Sequence, residues 1–297
     1  MVKKQKIRKS LKLGCFGAFL FIVIASQIAS SCISFSMTDK EVSEYFESHN
    51  IAPQSVFYSV NDYEMHYMYA DNGREASVVF VHGTPGAWDA FINYFSDSTL
   101  MANFNIASPD RPGFGKSSYA KPIHSLQEQA VLMKPMIEAL PEPRILVGHS
   151  LGGPIIARMA MDYPELIDGL VFLAPALDPA LEPDEDWFRV PMRWPVIGAI
   201  APKIFRISNE ELIFLDEELE EMLPLWEGVT APSIIVQGSA DKLVHPGNGA
   251  FADSVLVNAP HELVMLEGQN HFLPWNEHGL VVESVMGLLK YLNEEAN

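Results

Sequence analysis

The sequence predicts an α/β fold: a mostly parallel sheet of eight strands, with helices on both faces and a small inserted cap. Three observations support it. From residue 56 onward, short apolar runs alternate with segments of helical spacing, which is typical of a parallel sheet covered on both faces. The chain is 48% hydrophobic and 20% charged over 297 residues, enough to bury a large core. One proline-rich stretch breaks the alternation, which indicates an insertion.

The individual elements follow from these patterns. Asn61 and Asp62 form a hairpin-type turn, so the first two strands are expected to be antiparallel. Pro135 is expected to kink or shorten its helix, because it lacks an amide hydrogen and its ring clashes with the preceding turn. Strands are predicted at 56–60, 64–69, 77–81, 105–108, 144–147, 169–173, 233–237 and 263–266, and helices at 87–98, 124–140, 151–163, 216–226, 247–258 and 277–292.

The inserted cap is predicted at about 178–215, within a single domain that spans 56–297. Its large side chains have two interpretations. They line an apolar substrate pocket, or they simply pack the cap onto the core, as large aromatic residues usually do. The candidates for the pocket are Trp187, Phe188, Met192 and Trp194, together with Phe205.

The first 31 residues are predicted to be a signal sequence. Six cations precede the first acidic residue, Asp39, and the apolar run 13–25 follows them, then small and polar residues. Residues 32–55 are predicted to be a linker with a short helix, because Thr38 and Glu41 have the spacing of a capping box.

The segment that ends at Cys32, Ile-Ala-Ser-Ser-Cys, resembles a bacterial lipoprotein signal. This resemblance implies lipidation of Cys32 and an exported protein attached to a membrane in a bacterial cell envelope. A retained transmembrane anchor and simple cleavage are the alternatives. Fatty acid incorporation by a Cys32→Ala variant would contradict the lipidation.

The formal net charge of −18 argues against nucleic acid as a partner, because a phosphate backbone requires a positive surface. The sequence contains no His-Glu-x-x-His motif, cysteine cluster or dinucleotide-binding pattern. We therefore expect no metal and no redox cofactor. The oligomeric state is left open.

The pattern Gly-x-Ser-x-Gly at 148–152 is the most informative motif. By itself it is weak, because it occurs by chance in about one chain in ten of this length. Its context strengthens it: a predicted strand runs directly into the motif and a helical pattern follows it. This arrangement exposes the hydroxyl of Ser150 at a sharp turn, near the N-terminus of a helix.

A serine hydroxyl needs a base, and the base needs an acid that orients it. Asp178 and Asp241 both follow predicted strands, and His271 follows the last strand. With the strand-ending sequence His-Gly-Thr-Pro-Gly at 82–86, the order Ser, Asp, His resembles the alpha/beta-hydrolase superfamily from about residue 77 to 275. The resemblance implies Ser150 as nucleophile, His271 as base and Asp241 as acid, with Asp178 as the alternative.

The resemblance also implies an oxyanion hole formed by the backbone N–H groups of Thr84 and Leu151, without a cofactor. The expected function is a serine hydrolase that acts through an acyl-serine on carboxylic esters of small or apolar substrates. A peptidase, a thioesterase or an acyltransferase of the same fold would use the same residues. The competing class is a non-catalytic binding protein on a hydrolase scaffold, which would need none of them.

Overall fold

The computed structural model describes residues 36–118 and 123–295. Its centre is one sheet of eight strands, which confirms the predicted fold class. In chain order the strands are β1 (Gln54–Val60), β2 (Tyr63–Ala70), β3 (Ala76–Val81), β4 (Phe104–Asp110), β5 (Arg144–His149), β6 (Gly169–Leu173), β7 (Ser233–Gly238) and β8 (His261–Leu266).

The spatial order of the strands is β1-β2-β4-β3-β5-β6-β7-β8. Strands β3 to β8 are mutually parallel, and β2 pairs antiparallel with both β1 and β4. The predicted hairpin turn joins β1 to β2, and Asn61 there has a φ of 53°. Asparagine tolerates this left-handed conformation better than most residues.

Helices cover both faces of the sheet. They are α1 (Asp39–His49), α2 (Ser98–Asn103), α3 (Leu126–Glu138), α4 (Gly152–Asp162), α5 (Asp186–Met192), α6 (Pro195–Ile200), α7 (Lys203–Leu212), α8 (Leu215–Met222), α9 (Gly247–Val255), α10 (Leu273–Asn276) and α11 (His278–Glu295), with 3₁₀ turns at Trp88–Ser96, Pro164–Leu166, Pro179–Leu181 and Leu223–Gly228.

The hydrophobic core is divided by the sheet into two layers. Along β3, Val78 and Phe80 pack into one layer, and Val79 and Val81 pack into the other. This alternation is the two-residue period of a strand, and both layers are apolar because helices cover both faces. The sheet is therefore buried on both faces at its centre, where β5 carries the Gly-x-Ser-x-Gly motif.

Helix α1 precedes the first strand in the chain and packs onto the domain. The backbone N–H of Thr38 donates to Glu41 (2.7 Å), and the backbone N–H of Glu41 donates to the Thr38 hydroxyl (3.3 Å), so both bonds of the predicted capping box are present. Phe46 is the buried residue of this helix, and its ring centroid lies 6.0 Å from that of Trp88.

The predicted signal sequence (residues 1–31) and Cys32 lie outside the described residues. Within the described ranges, no helix has the length and apolar character needed to cross a membrane. The lipidation and the membrane attachment stay predictions from the sequence.

Helices α5, α6 and α7 lie between β6 and β7, in the segment where the cap is expected. Ser208 of α7 contacts Thr84 in the loop after β3, so this helix lies at the carboxyl ends of the parallel strands. Elsewhere, α3 contains Pro135 and ends three residues later, at Glu138, so the proline lies in its last turn. There its ring shortens the helix rather than breaking it in the middle.

Candidate active site

Ser150 lies at the sharp turn between β5 and α4. Its φ is 55°, a left-handed conformation that is strained for a serine. The backbone holds it there: its N–H donates to the Leu173 carbonyl (3.0 Å), and its own carbonyl accepts from the N–H of Gly153 (2.9 Å). The turn places the hydroxyl on the wall of a cavity at the carboxyl edge of the sheet.

The glycines of the motif are required by close packing around this turn. A Cβ atom on Gly152 would lie 2.2 Å from the Val81 carbonyl oxygen, and one on Gly148 would lie 2.5 Å from the Gly152 oxygen. Both distances are shorter than real side-chain contacts. The turn can press against the end of β3 only because these two positions lack side chains.

Asp241 and His271 meet beside the same cavity. Oδ2 of Asp241 accepts a hydrogen bond from Nδ1 of His271 (2.7 Å), and both side chains are buried. Oδ1 of Asp241 accepts from the backbone N–H groups of Leu243 (2.9 Å) and Val244 (3.0 Å). These bonds hold the carboxylate in one orientation and leave Nε2 of His271 as the acceptor of a proton.

Burial raises the pKa of Asp241, but the hydrogen bonds from His271, Val244 and Leu243 outweigh burial, so the pKa lies below its usual range. The carboxyl is therefore ionised at neutral pH, as the orienting acid must be.

Asp178 takes no part in this arrangement. Its side chain accepts from the backbone N–H of Ala180 (2.9 Å) and so caps the short 3₁₀ turn after β6, while its own N–H donates to Asn248 (2.8 Å). Of the two acids that the sequence proposes, the structure places Asp241 beside the histidine. Asp178 is the residue of a local turn.

His149 is a neighbour that the sequence analysis did not single out. Its Nε2 donates to the His271 carbonyl (2.9 Å), and its ring lies against the rings of His271 and Trp275. Burial, reinforced by the nearby His271, lowers the pKa of His149 to about 3, so the ring is neutral. It supports the backbone of the loop that carries His271. The only local signal for it is its position beside Ser150 in the motif.

Thr84 and Leu151 are the two neighbours of Ser150 that the resemblance assigns to the oxyanion hole. A Cβ atom on Gly83 would lie 2.8 Å from Cβ of Ser150, so the loop with Thr84 packs directly against the serine. Leu151 precedes the first residue of α4. Within the described ranges, the N–H groups of Thr84 and Leu151 have no hydrogen-bond acceptor. Two free donors beside a serine are what an oxyanion hole requires.

The cavity has a volume of about 760 Å³, and its wall is mostly apolar. Among the described residues that line it there is no lysine or arginine. Phe205 of α7 and Phe272, Trp275 and Leu243 form its apolar rim. The wall consists of Ser36, Met37, Glu41, His82, Gly83, Thr84, Pro85, Gly86, Asp89, Ala90, His149, Ser150, Phe205, Leu243, His271, Phe272 and Trp275.

The predicted pocket residues of the cap differ from this wall. Trp187, Phe188, Met192 and Trp194 do not line the cavity, whereas Phe205 does. Trp187 in α5 is 80% exposed, and Trp194, between α5 and α6, is 57% exposed. Hydrophobicity along such short helices does not determine which side faces the cavity.

Two carboxyl groups line the cavity on the side of the N-terminal segment. Asp89 is buried, and it accepts a hydrogen bond from the backbone N–H of Met37. Burial raises the pKa of Asp89 to about 6, although the bond from Met37 opposes this rise. The Thr38 backbone and hydroxyl hold the pKa of Glu41 below its usual range. At neutral pH the cavity therefore carries negative charge with no lining cation.

Asp89→Asn is expected to change the pH dependence of stability. The pKa of Asp89 rises from 3.8 to about 6 on folding. Between these values the unfolded wild type loses a proton that the native state keeps, so wild-type stability falls as the pH rises through this window. The variant has no such loss. Its stability relative to wild type should increase by about 2 to 3 kcal/mol from pH 4 to pH 7.

Urea unfolding of both proteins at several pH values measures this difference. Asp62→Asn, which removes a carboxyl group from the exposed β1–β2 turn, is the control. A difference between Asp89→Asn and wild type that stays constant with pH would contradict a buried carboxyl whose pKa is raised in the folded protein.

A family model described as the alpha/beta hydrolase fold matches residues 76–196. Among curated proteins, a 2-hydroxy-6-oxononadienedioate/2-hydroxy-6-oxononatrienedioate hydrolase of Pseudomonas sp. is 33% identical over 129 residues, which is 41% of this chain and 45% of that protein. An uncharacterized protein of Mycobacterium bovis is 26% identical over 130 residues, which is 42% of this chain and 36% of that protein. The matches thus span less than half of these relatives.

Solved structures match over a longer part of the chain. A candidate lipase from Acinetobacter baumannii AYE superposes with a TM-score of 0.68 at 19% identity, over 89% of this chain and 99% of that one. A thermophilic esterase from Thermogutta terrifontis gives 0.62 at 16% identity, over 81% and 99%. At these identities the likeness shows the fold alone. The family model over residues 76–196 and these superpositions agree on one finding, the alpha/beta hydrolase fold.

Proposed function

We propose that this protein is a serine hydrolase that cleaves carboxylic esters with neutral, apolar acyl groups. One observation carries the proposal: Thr84, Ser150 at its strained turn, and His271, which Asp241 holds, line one cavity. The N–H groups of Thr84 and of Leu151, the residue after the serine, have no acceptor among the described residues. Nucleophile, base, orienting acid and oxyanion donors are the four parts that acyl transfer through a serine requires.

The mechanism follows from these positions. Nε2 of His271 accepts the proton of the Ser150 hydroxyl as Oγ attacks the ester carbonyl. The N–H groups of Thr84 and Leu151 stabilise the oxyanion that forms, and Asp241 stabilises the protonated imidazole. His271 then donates the proton to the leaving alkoxide, which departs as the alcohol. Water, deprotonated by the same nitrogen, releases the acid and restores Ser150.

The charges of the cavity support neutral acyl groups. Asp89 and Glu41 line it, and among the described lining residues no lysine or arginine opposes them. By its name, the relative from Pseudomonas acts on a dicarboxylate. A second carboxylate on the substrate would here meet carboxylates instead of a cation, at a cost in a partly buried site. A neutral substrate therefore fits this cavity better than the dicarboxylate in that relative's name.

A matched pair of substrates tests this proposal. The p-nitrophenyl esters of butyric and succinic acid share a four-carbon chain, but the hemisuccinate carries a terminal carboxylate. We expect kcat/KM for the butyrate to exceed that for the hemisuccinate by about tenfold or more, since tenfold corresponds to only about 1.4 kcal/mol.

Butyric p-nitroanilide is the control for the scissile bond and should react far more slowly than the butyrate ester. A preference for the anilide or the hemisuccinate would contradict the proposed specificity. Absence of any turnover of esters by folded protein would contradict the proposed function itself.

A further inference from the structure

Helix α7 of the cap contacts the loop of the proposed oxyanion hole at two points. The Thr84 hydroxyl donates to the Ser208 hydroxyl (2.9 Å), which in turn donates to the carbonyl of Ile204 (3.0 Å). Three residues further along the same helix, Glu211 forms an ion pair with Arg111. Residues three apart lie on the same side of a helix, so one side of α7 holds both contacts.

Arg111 is the centre of the second contact and is completely buried. Its Nε donates to the His82 carbonyl (2.9 Å) and its Nη2 to the Gly83 carbonyl (2.8 Å). Nη1 donates to Gln129 of α3 (2.9 Å), and both Nη atoms donate to the carboxylate of Glu211. The rigid guanidinium fork thus joins the loop to the cap.

The bond to Gly83 determines the direction of the proposed oxyanion donor. The carbonyl of Gly83 and the N–H of Thr84 belong to the same peptide unit, and this unit is trans. In a planar trans peptide the C=O and the N–H point in opposite directions. Because Nη2 of Arg111 (2.8 Å) and Nδ1 of His82 (2.7 Å) both donate to the Gly83 oxygen, the Thr84 N–H must point away from these two donors, on the side of the cavity that Thr84 lines.

Glu211 in turn orients Arg111. It is 2% exposed and supplies the counter-charge for a guanidinium that is fully buried. Without the carboxylate, a buried cation keeps its carbonyl partners but loses its ionic partner, so it is free to shift toward any remaining acceptor. Gln129, which also donates to Glu211 (3.2 Å), would lose the same acceptor.

We propose that Glu211 and Ser208 are positioning residues of the cap: through Arg111 and the Thr84 hydroxyl, they aim the Thr84 N–H at the developing oxyanion. The proposal rests on the proposed ester hydrolysis and adds that the cap helix is part of the catalytic geometry rather than only a cover. Oxyanion stabilisation acts in the transition state. If the Thr84 N–H no longer points at the oxyanion, kcat should therefore fall and KM should stay nearly unchanged.

The experiment compares Ser208→Ala and Glu211→Gln with two control variants in the full chain. Ser284→Ala is the control for the serine: both serines are 5% exposed and both donate to a carbonyl four residues earlier. Glu210→Gln is the control for the glutamate, because it breaks an ion pair within the cap, with Arg193 (3.0 Å), next to Glu211.

Removal of an oxyanion donor typically costs a factor of 10² to 10³ in kcat, so misalignment should cost less. With p-nitrophenyl butyrate we expect kcat to fall about tenfold to a hundredfold in Glu211→Gln and about threefold to tenfold in Ser208→Ala, with KM within about twofold. The Ki of butylboronic acid, whose tetrahedral adduct places an oxygen in the oxyanion hole, should rise in parallel. Both controls should resemble wild type.

Hydrogen exchange of the segment 82–86 provides a readout that needs no substrate. We expect faster exchange in Ser208→Ala and Glu211→Gln than in the controls, whether or not the esters are turned over. The proposal is overturned if folded Ser208→Ala keeps wild-type kcat, boronate affinity and exchange. It is also overturned if the loss appears in KM alone, since that would assign α7 to substrate binding. An inactive wild type, together with exchange at 82–86 that is faster in Ser208→Ala and Glu211→Gln than in the controls, would contradict the proposed function and leave the positioning supported.

Discussion

Ser150→Ala is expected to lower kcat for p-nitrophenyl butyrate by a factor on the order of 10⁵ to 10⁶. The acyl-enzyme cannot form without Oγ, so water would have to attack the ester directly. Alanine keeps Cβ at the strained position, where Ser150 has a φ of 55°, so the turn itself should be retained. Any remaining rate reflects the oxyanion hole and substrate binding alone.

Steady-state kinetics and labelling with a fluorophosphonate probe measure this prediction. Wild type should be labelled and Ser150→Ala should not. Ser284→Ala, a buried helical serine outside the cavity, should be labelled like wild type. Equal labelling of folded Ser150→Ala and wild type would show that another residue is the nucleophile, and it would end the proposal of an acyl-serine at this site.

Asp241→Asn is expected to lower kcat by about 10⁴. Two backbone N–H groups, those of Leu243 and Val244, point at Oδ1. The amide oxygen of asparagine must face these donors, which turns its NH₂ group toward Nδ1 of His271. Nδ1 then accepts instead of donating, the ring proton moves to Nε2, and the nitrogen that faces the serine can no longer act as a base.

Asp178→Asn is the matched control, because both acids follow a parallel strand. Its carboxyl only caps a local turn with Ala180, a role that asparagine also fills, so kcat should stay within about threefold of wild type. Circular dichroism first checks that both variants keep the wild-type fold. Comparison of their kcat values then decides between the two acids. A large loss in Asp178→Asn with a small one in Asp241→Asn would reverse the assignment.

The eight strands were predictable because their signal is local. Strands such as β3 and β5 are buried along their whole length, so they appear in the sequence as short continuous apolar runs. The turn around Ser150 was predictable for the same reason: the strand, the serine, its glycines and the following helix are adjacent in the chain.

The choice between Asp178 and Asp241 needed the tertiary structure. Both follow strands of the same sheet, so position along the chain does not separate them. The difference lies in the loop that carries His271: the N–H of Ala240 donates to the Gln269 carbonyl (2.9 Å), which joins the loop after β7 to the loop after β8. Asp241 lies next to this junction and therefore reaches His271.

The composition of the cap did not predict which side chains line the cavity. Its tryptophans were candidates for a pocket, yet Trp187 and Trp194 are exposed and the cavity instead takes Phe205 from α7 and Phe272 and Trp275 from the loop after β8. When a short helix has apolar residues on several sides, its sequence does not indicate which side faces the cavity.

The sequence by itself determined the α/β class, the sheet and the serine turn, because each depends on residues that are neighbours in the chain. Only the tertiary structure decided which acid orients His271, which side chains form the cavity, and that Glu211 reaches Arg111 across 100 residues. The physical reason is the same in each case: hydrogen bonds and burial between distant segments depend on how loops and helices pack, and no local periodicity records that packing.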